Sequence, residues 1–260
     1  MNTSGPHAKR LMVIGAHPDD AEFHAGGLMV QWHEAGGEVM IVSLTDGSAG
    51  HQSMSRDDLA KRRHAEALAA AALLAAKLEI WDVPDGELQA DLALRARLIR
   101  QIRRFAPNLI VTHRPADYHP DHRATAQLVQ DACYLLQVPA VVADTPALSS
   151  IPPVLLCADR FSYPRPFRAD WLIDTTAELP RVVDLLNCHE SQVYEWLPHT
   201  QGIEAPEQNR KMWLAQWYAR RPMYVARTHA DSQVECAEAF EISEYGGPFD
   251  ASNFQAITSL

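Results

Sequence analysis

The sequence has no run of eighteen consecutive apolar residues, so no segment of it reads as a membrane span. Positive charge is in short supply. Against 33 Asp and Glu stand 23 Lys and Arg, a net charge of −10, which argues against a nucleic-acid backbone as partner. Cysteine is scarce and scattered: Cys133, Cys157, Cys188 and Cys236 form no CxxC pair. Each reads as a small buried residue in a reducing compartment rather than half of a disulfide, so a cytoplasmic location is expected. Internal repeats and low-complexity tracts are missing too. The opening MNTSGPHAKR lacks the apolar stretch that a signal peptide needs.

What is present is a chain of 260 residues, enough for one large α/β domain or two small ones with a substantial core. Apolar runs at 11–16, 38–44, 78–83 and 108–112 read as short buried strands. Helical patterns at 21–35, 57–76 and 92–105 separate them, the last carrying five arginines that suit a solvated face. Such alternation implies a mostly parallel sheet with right-handed crossovers, a Rossmann-like arrangement. A further helix is expected over 121–136, followed by VPAVVADTPALSSIPPV, whose four prolines mark a loop. A strand at 154–158, helices at 179–196 and 206–220 and a mixed closing segment complete the pattern. The expected organisation is one domain, 1–260, in which 1–137 is a Rossmann-like half and 138–260 completes it and shapes the pocket.

Histidine is abundant, at twelve residues, and several stand beside carboxylates. VIGAHPDDAEFHAGG places His17, Asp19 and Asp20 just after the first strand. One explanation is a metal ion; the other is a helix N-terminus, where Asp satisfies free N–H groups and Pro is welcome. After the fourth strand comes THRPADYHPDHRAT, with His113, Asp117, His119, Asp121 and His122. In the doubly wound order 3-2-1-4-5, strands 1 and 4 are neighbours whose connections diverge, so both clusters meet in the crevice at their carboxyl ends. Two imidazoles and one carboxylate with an open fourth position make a catalytic zinc set, and His17, Asp20 and His122 supply it. Other divalent metals suit the same donors. Asp19 then remains as a general base. His119 is placed to stabilise an oxyanion or protonate a leaving amine, with Asp121 or Asp117 fixing its tautomer. A dinucleotide site fits less well, since GAHPDDAEFHAGG is not GxGxxG and its acids repel a pyrophosphate.

HPDD after a first strand and HPDH after a later one resemble the PIG-L/LmbE-like family of zinc-dependent N-deacetylases. RRHAEALAAAALL, DVPDGEL, CHESQVYEW and AEAFEIS are similar to further family segments, so the likeness runs along nearly the whole chain. The resemblance implies a Rossmann-like fold that removes acetyl from an N-acetylated amino sugar or related small amide. It assigns His17, Asp20 and His122 to zinc, Asp19 to the base and His119 to the intermediate. It also puts Arg63 near the site, leaves room for a homo-oligomer, and makes a small molecule the partner. His24 stands where relatives often have Gly, which narrows the pocket or adds an imidazole near the metal.

Other residues carry two readings each. Arg63 contacts substrate or the site carboxylates, or is an ordinary helix-face Arg. Asp46, in LTDGSAG, supports the site or simply forms an Asp-Gly turn. His189 either reaches the substrate or packs in the core. Trp196, Trp213 and Trp217 stack on a ligand, cap a core or fill a subunit contact. Two rivals to a deacetylase remain, a metal-dependent hydratase or other hydrolase on the same fold, and a non-catalytic binding protein. The intact set of His17, Asp19, Asp20, His119 and His122 argues against the last.

Overall fold

A computed structural model describes residues 9–258; segment 1–8, most of the stretch judged unlike a signal peptide, lies outside them. Its strands are β1 (Arg10–Gly15), β2 (Glu38–Ser43), β3 (Lys77–Ile80), β4 (Leu109–Thr112), β5 (Val154–Cys157), β6 (Trp171–Asp174) and β7 (Ala237–Ile242). They form one sheet in the order β3-β2-β1-β4-β5-β7-β6. The first five are parallel and follow the expected order. β7 then pairs antiparallel with both β5 and β6. The chain is thus a single-domain α/β fold with a mostly parallel sheet.

Alternate residues of β1 feed opposite faces, as strand geometry requires. Leu11 and Val13 join a core packed by α1 (Asp20–Glu34), the end of α2 (Arg56–Leu73) and α5 (Leu179–Asn187). Met12 and Ile14 join a second core under α3 (Leu92–Phe105) and α4 (Pro120–Cys133). Ile14 pairs with Thr112, so the exits of β1 and β4 emerge side by side. That register places the two histidine motifs together. All four cysteines are free thiols, and no helix among the described residues is long and apolar enough to cross a membrane.

Three departures from the sequence pattern have physical causes. β6 escaped notice because it is a four-residue edge strand, its WLID alternating buried and half-buried behind a polar, proline-bearing stretch. The helix expected over 179–196 breaks after α5 into a π-helical turn, Ser191–Trp196, and a short α6 (Leu197–Thr200). There Ser191 donates from both N and Oγ to Glu66, and Gln192 Nε2 donates to the Gly50 carbonyl. Tertiary bonds thus override the regular ladder. Finally α7 (Arg210–His229) continues through Pro222, past the expected stop at 220. Pro222 is buried, and packing outweighs the lost backbone donor.

α1 is also interrupted, at Ala25 (φ −142°), where the freed N–H groups of Gly27 and Leu28 donate to the buried Glu238 carboxylate at 2.7 and 3.0 Å. Burial pushes that carboxyl from an ordinary value of 4.5 up to about 7, against those two donors and the charge of Arg221. Through this window the folded chain keeps a proton that the unfolded chain has released, so Glu238's contribution to stability falls as pH rises. Glu238→Gln should therefore flatten the decline in unfolding free energy between about pH 5 and about pH 7, by on the order of 3 kcal/mol at most. Urea unfolding of both proteins across that range is the measurement; parallel curves would mean that Glu238 is ionised throughout.

Candidate active site

The exit of β1 wraps tightly around one carboxylate. Asp20 opens α1, and its Oδ2 accepts the N–H groups of Ala16 and His17 at 2.9 and 2.7 Å. A side chain at position 15 would forbid this, since a Cβ on Gly15 would stand 2.7 Å from Asp20 Cβ. His17 Nδ1 lies 3.4 Å from Asp20 Oδ2 and 3.2 Å from His122 Nε2, and His122 Nε2 is 3.5 Å from Asp20 Oδ1. Neighbouring ligands on a tetrahedral zinc stand roughly 3.3–3.4 Å apart, given bonds of about 2.0–2.1 Å. The separations of the three expected ligands, taken over both Asp20 oxygens, are of that size, and Asp20 with His113 and His122 offers three donor atoms within 4.8 Å of one another.

Their partners fix which nitrogens face inward. On its far side His17 Nε2 stands 3.1 Å from Asp85 Oδ1 and 3.5 Å from Asp121 Oδ2, while His122 Nδ1 stands 3.1 Å from Asp117 Oδ1. Burial alone would lower the His17 pKa, but Asp121, Asp20 and Asp85 raise it well above its usual value. Two ring nitrogens and a carboxylate thus converge, and with both inner nitrogens deprotonated they would offer a cation two lone pairs beside that charge. His113 completes the surround: its Nε2 is 3.1 Å from Asp20 Oδ2 and its ring stacks on His122 at 3.9 Å. Burial alone would raise the Asp20 carboxyl, but His122 and His113 hold it well below its usual range. Alternative donor triplets exist within the same nest, including His17 with His119 and His122.

Asp19 does not cap the helix. It has a left-handed backbone (φ 149°) and no side-chain cap bond, a strained conformation of the kind found at functional sites. Its Oδ1 instead accepts from Arg63 Nη2 at 2.9 Å. Arg63 is only 2% exposed and also donates to the carbonyls of Pro18 (2.9 Å) and Gly47 (3.0 Å). Gly47, at φ +68°, lets it through: a Cβ there would meet the guanidinium at 2.7 Å. The helix-face reading of Arg63 gives way to that of a buried clamp. Burial pushes the Asp19 carboxyl up to about 6 despite this guanidinium.

His119 is the N-cap of α4, its Nδ1 accepting the Asp121 N–H at 3.2 Å. The tautomer is thus set by main chain and not, as expected, by a carboxylate. Asp121 lies fully buried, accepting from Gly86 and Leu88 N–H and facing His17. Asp117 turns its carboxylate to His122 and to the His119 N–H rather than to the His119 ring. Burial, then the charges of His17 and His122, lower the His119 pKa and favour the neutral ring.

A cavity of about 510 Å³ opens over this cluster, with His24, Trp196, Trp217 and Arg221 on its walls. His189 is not on them. It is wholly buried beneath α1 with Nε2 3.4 Å from Glu22 Oε1, because the break after α5 turns Gln192 and Trp196 outward in its place. Asp46 forms a turn, accepting from the N–H groups of Ser48 and Asp85. Trp213 stacks on Trp217 at 5.9 Å behind the wall. Sequence reasoning passed over Asp85 and His113 as site residues, although both sit in quoted motifs at strand exits.

Residues 12–133 match the family model PIG-L, GlcNAc-PI de-N-acetylase. That match spans just under half of the chain and takes in both histidine motifs. The resemblance read from HPDD and HPDH is borne out. A 4-oxalmesaconate hydratase from Pseudomonas putida is 27% identical over 214 residues, covering 76% of this chain and 81% of its own. A diacetylchitobiose deacetylase from Thermococcus kodakarensis is 27% identical over 206 residues, covering 75% of this chain and 76% of its own. In structure the chain is similar to an N,N'-diacetylchitobiose deacetylase from Pyrococcus horikoshii, with TM-score 0.75 and 24% identity over 92% of this chain and 85% of that one. The chain thus has both deacetylase and hydratase relatives, and they are enzymes.

Proposed function

We propose that this chain is a divalent-metal-dependent N-deacetylase that hydrolyses the N-acetyl group of an amino sugar, such as an N-acetylglucosamine conjugate, or a related small amide. The observation that carries the proposal is the clamped Asp19 carboxylate beside the convergent ring nitrogens of His17 and His122 and the Asp20 carboxylate. A bound cation, zinc by the nature of these donors, supplies Lewis acidity to the acyl group and acidifies water. Asp19 takes a proton from the attacking water as its oxygen bonds to the acyl carbon. Arg63 holds that carboxylate in place, and burial keeps its pKa near the range a general base needs. With Nδ1 committed to the Asp121 N–H, His119 presents Nε2–H as a donor to the developing oxyanion. Asp19 returns its proton to the amine nitrogen as the C–N bond breaks, giving acetate and a free amine.

The test is an acetate-release screen of the zinc-loaded enzyme over N-acetyl sugars and their conjugates. Acetate from at least one of them, at a rate lost in Asp19→Asn, is expected. No acetate from any, together with water addition to an unsaturated carboxylic acid, would replace the proposal with the hydratase alternative.

A further inference from the structure

One charged group on the cavity wall has no function in the hydrolysis described. Asp19 is matched by Arg63, Asp85 by His17, and Asp20 by His122 and His113. Arg221, half-buried on α7, has no ion-pair partner among the described residues. Its Nη2 donates to His24 Nδ1 at 2.6 Å and to the Ala158 carbonyl at 2.9 Å. A guanidinium carries five donor hydrogens, and Nη1 and Nε have no protein acceptor among the described residues. Glu238, whose carboxyl feels the Arg221 charge, is turned to the N–H groups of Gly27 and Leu28.

Because arginine can only donate, His24 Nδ1 must accept, and the imidazole is neutral. His24 therefore adds no positive charge; it fixes the guanidinium against the wall that Trp217 shares. That explains an imidazole one turn into α1, where it also stands edge-on to His113 and His122 with ring centres 5.3 and 6.3 Å away. A cation anchored by two neutral acceptors, beside aromatic surface and one side chain removed from the reacting cluster, is arranged to receive an anion.

We infer that the substrate is an N-acylated amine bearing a carboxylate, which Arg221 receives on the His24 wall while the acyl group lies at the His17, Asp20 and His122 cluster. The amide part of this assignment rests on the proposed deacetylase function; the carboxylate part does not. A single guanidinium with a neutral imidazole matches one negative charge. A phosphate dianion would face the carboxylates of Asp19, Asp20 and Asp85 on the same cavity with only that one free cation among the described lining residues.

Two measurements test the inference. Calorimetry should show that zinc-loaded protein binds one of succinate, glutarate or adipate more tightly than its half-amide, since both share the carboxylate that a metal accepts. Arg221→Gln should remove that difference, roughly 10–100-fold in Kd, and Arg221→Lys should restore part of it. In turnover, N-acetylmuramic acid should exceed N-acetylglucosamine in kcat/KM, and the ratio should collapse toward unity in Arg221→Gln, chiefly through KM. Equal binding of every diacid and its half-amide by the unaltered protein overturns the inference without recourse to a variant. So does a preference that survives in Arg221→Gln. Preference for N-acetylglucosamine 6-phosphate over both sugars overturns the carboxylate assignment in favour of phosphate. Arg221-dependent binding of a diacid with no acetate released from any amide supports the carboxylate site while refuting the deacetylase.

Discussion

Asp19→Asn should retain the metal and the fold yet lose roughly 10²–10⁴ in kcat, the usual contribution of a general base. The substitution is mild by geometry. An Asn side-chain oxygen still accepts from Arg63 Nη2, which now donates to Asp19 Oδ1 at 2.9 Å, so the clamp and the strained turn persist. What disappears is the carboxylate proposed to take a proton. The rate of the unaltered enzyme should fall on the acidic side as Asp19 becomes protonated, a carboxyl that burial holds at about 6. That acidic limb should be missing from the residual activity of Asp19→Asn. Metal content by elemental analysis and kcat against pH make the comparison. A variant that keeps full activity removes Asp19 from the base role, and one that loses the metal makes it a ligand instead.

Neighbouring Asp19 and Asp20 illustrate what the sequence could and could not reveal. Side chains one residue apart at a helix entry diverge by about 100°, so unlike surroundings for the pair were legible from HPDD alone. The parallel half of the sheet was equally legible, because buried parallel strands are near-continuous apolar runs separated by helical periodicity. From that order followed the meeting of the two histidine motifs. The outer partners were not legible. Asp85 reaches His17 from the exit of β3, and His113 reaches Asp20 from the end of β4; nothing in local spacing says which way either side chain turns. Asp121 looked catalytic by its place in HPDH, but one turn of α4 aims it under the loop that it braces. β6 and the π-helical turn depend on tertiary hydrogen bonds, which no periodicity encodes. Arg221 is the extreme case: an arginine one residue past the expected helix end at 220, which acquires meaning only when α7 continues along the wall of the cavity.

His122→Ala should abolish stoichiometric metal binding, whereas His119→Ala should preserve it. The two histidines lie three residues apart in HPDH and their rings are 5.1 Å apart, so either could belong to a ligand triplet with His17. Their second nitrogens separate them. His122 Nδ1 stands 3.1 Å from the Asp117 carboxylate, and Nε2 is turned to His17 Nδ1 and Asp20 Oδ1, where it would serve as a ligand once deprotonated. His119 Nδ1 is occupied by a main-chain N–H, so its remaining nitrogen carries the proton and serves as a donor. Removing His122 leaves one imidazole and one carboxylate, too few to hold a catalytic zinc against water. Asp117→Asn should be intermediate, weakening metal affinity roughly 10–100-fold, as loss of a carboxylate behind a histidine ligand commonly does. Competition with a chromophoric chelator gives the three affinities. The melting temperature provides an independent reading, since metal that binds only the folded chain raises it in the unaltered protein and in His119→Ala but not in His122→Ala. Stoichiometric zinc in His122→Ala, or its loss in His119→Ala, would move the metal to the His17 and His119 side of the nest and take from His119 its place as the oxyanion donor.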